Sequence, residues 1–599
     1  MRTNTLSSFL AGVLFVAAMA LAASPPELRV GMAGHAFDHL GNIGEQAEAA
    51  AASGATIIYA TGLGGDGYSG LPAPDTLKQR REAAADYVRR AKARGIRLAL
   101  GYLCATSIVK LESFDRNWSP EFRVQFRTPP AEWRQQDRDG KPLPSWYGGD
   151  YQPACMNNPD WRTYDKFMVR QQLETGHDGI FFDNPTVHPK GCYCAHCLKK
   201  FGAFLQAQGH NLPDLSTDAL RSMALQRTND FLRFRCTIAR DFLAEMRQYA
   251  RQINPRALVT CNNSLNSVEV FYSQCRGYGY NIHELSQAED FVVVEDSGNQ
   301  PRSLPNGKTL EYGPTYELLH AISHGRPIVA VTLAEADYHT PPNLVRLAQA
   351  EAAAHNASYL SWPTWPEGQR ARMIAAIRPQ ADFLRANERL LNETRARRDV
   401  VLFLPFRRWI ETNTCVASRL ATKLTQTSVQ YVVLSEDNFT ASALKGAKAV
   451  LIESLTVLNP AERAATEIFQ RRGGGVVVAD HLDWLEDLRQ NIAAPAITLT
   501  GPPTLRAAMR DQRARTVIHL LNLNVRRLSS FEDRVTPATN AQISCRVPSR
   551  RVRSVRALTA DAEASRGELL FRVRRGGTES VVDFTVPRLD ISALIVVEL

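Results

Sequence analysis

Asp178 to Cys197 reads DGIFFDNPTVHPKGCYCAHC, and this stretch decides how the chain is organised. Gly179 opens a short apolar run of Ile180, Phe181 and Phe182, residue types that fit a pleated, buried backbone. Asn184-Pro185 closes the run, because proline donates nothing to a strand ladder and restrains the residue before it. The run predicts a strand over residues 179–183 with the Asp183 carboxylate at its C-terminal end. The same stretch then supplies Cys192, Cys194 and Cys197 at the spacing C-x-C-x-x-C, which lets one loop present three thiolates to one ion. A tetrahedral zinc needs a fourth ligand, and Cys155, in PACMNNPDW ahead of the helix that leads into this strand, is the best-placed donor. Four thiolates close the shell, so the expected ion is structural Zn2+. Two disulfides are the alternative in an exported chain, although cysteines as near as Cys192 and Cys194 pair poorly.

Outward from this stretch, short apolar runs alternate with amphipathic helical patterns. Strands are expected over residues 28–33, 56–61, 96–102, 179–183, 258–262, 291–295, 328–333 and 358–362. Eight strands separated by helices predict a (β/α)8 TIM barrel over residues 26–395. Helical spacing over residues 76–94 ends at Gly95, and the long pattern over 220–253, read as more than one helix, ends at Asn254-Pro255. A doubly wound sheet is the other arrangement of such a pattern, but no G-x-G-x-x-G follows the first strand to support a dinucleotide site.

At 599 residues with 44% hydrophobic content, the chain is long enough for three or four cores and is not a disordered or fibrous protein. Its formal charge of +10 comes from 71 basic and 61 acidic residues, with arginines scattered rather than gathered in a stripe, so no nucleic-acid partner is expected. Residues 1–22 read as a signal peptide: Met1-Arg2, an apolar segment from Phe9 to Met19, and Ala20-Leu21-Ala22 as the cleavage site. An uncleaved anchor is the other reading. The leader implies an exported, periplasmic or extracellular, chain, and with no later segment long and apolar enough to span a membrane the mature protein is expected to be soluble.

In a barrel, active sites sit where strands end at the C-terminal face, which turns a set of polar residues into a geometric expectation. His35 follows the first strand, Asp66 the second, Asp183 ends the fourth, and Asn262 and Asn263 follow the fifth. Glu295 and Asp296 end the sixth; being adjacent, only one of them can face the pocket. Glu335 and Asp337 follow the seventh, Trp362 and Trp365 the eighth, and Trp118, Trp133, Trp146 and Tyr147 lie in the long segment after the third. Such a crown of carboxylates, amides and indoles suits a sugar, because tryptophan faces pack on pyranose rings and a carboxylate pair supplies acid and nucleophile. Each has a plainer reading: a strand-end carboxylate can cap the next helix, and loop aromatics can simply pack their own segment. Asp178, at the opposite end of its strand, is expected to be structural.

The pair CMNNP and CYCAHCLKKF, with an acidic residue nine positions before Cys192, resembles the zinc-cysteine arrangement of glycoside hydrolase family 42 β-galactosidases and related barrels. Residues 398–495, with VVLFLPF, YVVLSEDNF and GGGVVVAD, resemble the flavodoxin- and amidotransferase-like trimerisation domain that follows the barrel there. Residues 503–599 resemble their C-terminal β-sandwich. The resemblance implies a homotrimer, a glycoside substrate and a glutamate pair, but Phe182-Asp183 stands where those enzymes carry Asn-Glu. DGIFFD is instead similar to amylase- and fucosidase-type barrels, in which an aspartate ending the fourth strand is the nucleophile.

The expectation is therefore an exported glycoside hydrolase with a two-carboxylate, retaining mechanism: Asp183 as nucleophile, Glu295 as acid/base, and Asp296 and Glu335 in reserve. His35, Asn262, Asn263, Trp362, Trp365 and Trp146 are the candidate substrate-binding residues. The other reading is a carbohydrate-binding or assembly protein on a barrel that has lost its catalytic pair. The segment 398–495 carries no Cys-His-Glu triad, since Cys415 lies in a helical pattern, so it is read as an assembly layer.

Overall fold

A computed structural model describes residues 43–58, 71–108, 111–117, 119–145, 151–263, 271–296, 309–332, 340–360, 366–412, 416–549, 551–576 and 579–599. The proposed signal peptide, the first expected strand, His35, Asp66, Trp118, Trp146, Tyr147, Glu335, Asp337, Trp362, Trp365 and Cys415 lie outside the described residues.

Seven of the eight expected barrel strands are described, all parallel. Ile57–Ile58, Leu98–Cys104, Gly179–Asp183 and Leu258–Cys261 pair in that order. A parallel bridge from Asn262 to Val293 carries the ring on to Val292–Asp296, Ile328–Thr332 and Ser358–Leu360. Gly179 is required at its position: a Cβ there would lie 2.1 Å from the backbone oxygen of Leu258 on the next strand. The helical readings hold. Pro74–Ala93 is followed by Gly95 at φ +97°, and the long pattern breaks at Arg227 into Thr217–Gln226 and Thr228–Ile253.

The two-residue period of the strands sorts their side chains. Leu98, Leu100, Tyr102, Phe181, Val293, Val329, Val331 and Leu360 pack together inside the ring. Ile180 and Phe182 point outward to the helices, as do Val292 and Val294. Asp183 and Glu295 are thus in phase with the inner residues Phe181 and Val293, whereas position 296 is out of phase. Asp178 accepts from Lys92 Nζ at 2.7 Å and from the Ala99 amide at 2.9 Å, holding the opposite end of its strand to a neighbouring helix and strand.

After the barrel, Val400–Leu404, Tyr431–Ser435, Ala449–Ile452 and Gly475–Val478 form a four-stranded parallel sheet in the spatial order second, first, third, fourth. Its helix Ala417–Gln426 packs on the barrel helix Gly313–Ile322, and the two share one hydrophobic core. Two antiparallel sheets then face each other across Met509, Ile518, Ile543, Val582 and Ile595. Two short strands fall outside the segment expected for this sandwich. Ile497–Thr500 pairs with Ala538–Val547, and Arg395–Ala396, at the end of the expected barrel segment, pairs with Leu505–Gln512. The buried ion pair of Arg506 and Glu311, 2.8 Å apart, ties the sandwich to the barrel. No helix among the described residues is long and apolar enough to cross a membrane.

Candidate active site

The C-terminal strand ends bring Asp183, Asn262 and Glu295 together. One nitrogen, Asn262 Nδ2, donates both of its hydrogens: to Asp183 Oδ1 and to Glu295 Oε1, each at 2.9 Å. The two carboxylate oxygens can therefore be no more than twice 2.9 Å apart. This places the two carboxylates side by side at one amide, an arrangement compatible with the ~5–5.5 Å spacing of retaining pairs.

Asp183 is surrounded by donors. Tyr102 Oη donates to Oδ2 at 2.5 Å, the Asn184 backbone amide to Oδ1 at 2.9 Å, and Asn184 Nδ2 to Oδ2 at 3.2 Å. Such a shell is complementary to a carboxylate anion and aims it. Asn184 manages two of these bonds because it adopts φ 48°, a left-handed conformation that asparagine tolerates better than most residues. Sequence reasoning missed both Tyr102 and Asn184. Tyr102 was recoverable in principle, since it shares the inner phase with Leu98 and Leu100 near the strand's end.

Other expectations divide. Asn263 is fully buried and donates to the Cys261 and Val293 carbonyls and to Glu289, so it pins strand ends and does not reach the rim. Trp133 is also fully buried, packed edge-on against Phe114 and beside Trp161, and serves its own loop. The choice between Glu295 and Asp296 falls to Glu295, the residue in contact with Asn262.

Behind Asn263 lies Glu289, whose Oε1 accepts from the Cys261 amide at 2.9 Å and from Asn263 at 3.0 Å, while Oε2 has no hydrogen-bond partner. Burial, with a smaller push from the charge of Asp290, raises its carboxyl to about 7 against these donors. A raised carboxylate stabilises the fold fully below its unfolded value near 4.5, and that contribution is lost as pH rises through about 7. The lost contribution is on the order of 3 kcal/mol. Glu289→Gln is expected to flatten the stability profile between pH 4.5 and 7, read from urea midpoints across that window. An unchanged slope in the variant would show that another group titrates there.

The second cluster comprises Cys155, Cys192, Cys194 and Cys197. All four are buried, none is in a disulfide, and their sulfurs lie within 4.8 Å of one another. Cys155 Sγ is 3.5 Å from the sulfurs of Cys194 and Cys197. Tetrahedral zinc with ~2.3 Å bonds sets its sulfurs about 3.8 Å apart, whereas a disulfide requires ~2.05 Å, so the donor set fits a metal and not a pair of disulfides. Asn158 caps the helix Pro159–Glu174 and fixes the turn that carries Cys155, and Cys194 sits at the N-cap of Ala195–Ala207. Asn157 Nδ2 donates to Cys197 Sγ at 3.3 Å, as an outer-shell partner of a thiolate ligand does. Hydrogen bonds from the other three cysteines hold the Cys194 thiol well below its usual range, while burial pushes Cys192 well above it. Only a cation in the centre lets all four carry negative charge together.

No protein-family model matches the sequence, and no curated protein sequence matches it. Solved structures do resemble it along nearly its whole length. The α-L-fucosidase isoenzyme 2 of Paenibacillus thiaminolyticus aligns with a TM-score of 0.64 at 14% identity, covering 95% of this chain and 99% of that one. The β-galactosidase of Bacillus circulans sp. alkalophilus aligns with a TM-score of 0.61 at 12% identity, covering 95% and 98%. A GH42 β-galactosidase from G. stearothermophilus aligns with a TM-score of 0.60 at 10% identity, covering 94% and 99%. The chain therefore has the fold of family 42-type glycosidases, and identities this low speak for the fold alone.

Proposed function

We propose that the protein is a retaining glycoside hydrolase in which Asp183 is the nucleophile and Glu295 the acid/base. The observation that carries this reading is the single Asn262 amide that bridges the two carboxylates. The Asp183 oxygen attacks the anomeric carbon as Glu295 protonates the departing glycosidic oxygen, forming a glycosyl ester. Glu295, now anionic, then takes a proton from water, which attacks the same carbon and releases Asp183. The inner phase of both strand ends supports the assignment, as does the resemblance to proteins named as galactosidases and a fucosidase. The substrate class is a glycoside.

The direct test is a panel of α and β aryl glycosides followed by NMR of the first-formed sugar. A first product with the substrate's anomeric configuration is expected, and an inverted product would refute Asp183 as a nucleophile.

Three further features belong to this proposal. The four cysteines hold a structural zinc, which orders the loop after Asp183 and supplies no step of the reaction. Residues 1–22 direct export. The parallel layer after residue 398 assembles the chain into a trimer, a reading supported by its likeness to a trimerisation domain. Light scattering at micromolar concentration is expected to give three times the 66.6 kDa chain mass, slightly less after signal removal, and a single-subunit mass would sink the trimer.

A further inference from the structure

A second group of metal-ligating side chains lies away from both the strand-end carboxylates and the cysteine cluster, where the barrel meets the parallel layer. His283 is in the barrel helix Ile282–Ala288, His324 is in the turn after Gly313–Ile322, and Asp437 is in the turn after Tyr431–Ser435. One ligand atom from each lies within 4.8 Å of the others; His283 is buried, while His324 and Asp437 are exposed. We infer that His283, His324 and Asp437 form a divalent transition-metal site, with zinc as the ion, that joins the barrel to the parallel layer.

The hydrogen bonds around the three residues prepare them as ligands. Ser286 Oγ is hydrogen-bonded to His324 Nδ1 at 3.0 Å, so Nε2 is the nitrogen of that ring turned away from the serine. His283 Nδ1 faces Glu284 Oε1 at 3.8 Å and has no hydrogen-bond partner, while its Nε2 meets Asp437 Oδ2 at 2.6 Å. A zinc-bound histidine donates its other ring N–H to a carboxylate, and Glu284 is the carboxylate near enough to take up that bond with a small shift. Asp437 is steadied through its other oxygen, which accepts from Arg407 Nη2 at 2.7 Å, leaving Oδ2 for the cation.

A proton now occupies the place the ion would take between His283 and Asp437. Tetrahedral zinc with bonds of ~2.0–2.1 Å needs its donors about 3.3 Å apart, so that contact must open by roughly 0.7 Å. Asp437 is exposed, so a turn of its side chain is the movement that opens the contact. The remaining coordination positions face solvent and take water. Arg407 and Arg326 are cations near the three residues that oppose the ion, and Glu284, itself paired with Arg240, is the further carboxylate beside His283. Two imidazoles and one carboxylate, with no thiolate, make this site chemically distinct from the cysteine cluster.

Cobalt(II) distinguishes the two. Titrated into the purified full chain that retains its cysteine-bound metal, it is expected to bind one further equivalent, with visible d–d bands and no near-ultraviolet thiolate charge-transfer band. His324→Asn and Asp437→Asn are each expected to weaken that binding at least about tenfold. Added zinc should raise the thermal midpoint of the parent chain and not of these variants. Both positions are exposed, and asparagine tolerates the φ of 51° at His324, so the variants should fold. No further equivalent, only a thiolate-type spectrum, or an affinity unchanged in both variants would overturn the site.

Discussion

Asp183→Asn is expected to lower kcat at least about 100-fold on any glycoside the protein hydrolyses, with circular dichroism and thermal midpoint little changed. The amide keeps the size of the side chain but cannot form the glycosyl ester. Its one remaining oxygen can still accept from Asn262, while the Tyr102 hydroxyl can rotate to accept from the new amide nitrogen, so the loss reflects chemistry and not collapse of the strand end. A paired measurement sharpens the assignment. Glu295→Gln should slow substrates with poor leaving groups far more than aryl glycosides whose phenolate leaves without protonation, because only the former need the acid. Asp183→Gly with added azide should regain turnover through a glycosyl azide of inverted configuration, since the small anion occupies the space of the missing carboxylate. An Asp183→Asn rate equal to that of the parent would remove Asp183 from the mechanism. Hydrolysis of no glycoside in the panel by the parent chain would instead favour the reading of a carbohydrate-binding scaffold.

Removing the zinc proposed for the four cysteines is expected to have the largest effect on stability. Protein made without added metal should carry about one tightly held zinc per chain, and Cys194→Ser should lower both zinc content and thermal midpoint. Structural zinc in small metal-folded peptides contributes apparent free energies of roughly 10–16 kcal/mol, so even a fraction of that exceeds a typical core substitution. The four cysteines are buried members of one large hydrophobic cluster, and uncompensated thiolates there have no water to solvate them. The loop from Asn184 to Cys197 begins at the residue that donates twice to Asp183, so metal loss should lower activity as well. A thiol count that finds all four cysteines oxidised, or a chain whose midpoint does not respond to Cys194→Ser, defeats the assignment.

Much of this was legible in the chain itself, wherever the information is local. Ile180, Phe181 and Phe182 between Gly179 and Asn184-Pro185 locate a strand to the residue, because backbone preference and proline's missing donor act over a few positions. The spacing of Cys192, Cys194 and Cys197 announces a common centre, because one loop must bring its own ligands to one point. Alternation of apolar runs and amphipathic helices predicts a parallel barrel, since each helix must bury one face against the sheet. Only the tertiary structure decided which polar residues meet. Glu295 rather than Asp296, Asn262 rather than Asn263, and the unsuspected Tyr102 and Asn184 follow from the register of neighbouring strands and the phase of each side chain. A shift of one residue would send every one of them to the other face. His283, His324 and Asp437 have no shared local pattern at all and come together only because a helix, a turn and the next layer pack against one core. Strand and ligand loop are short-range chemistry, written in sequence order; the pairing of carboxylates across a ring of strands is long-range geometry, set when the whole barrel closes.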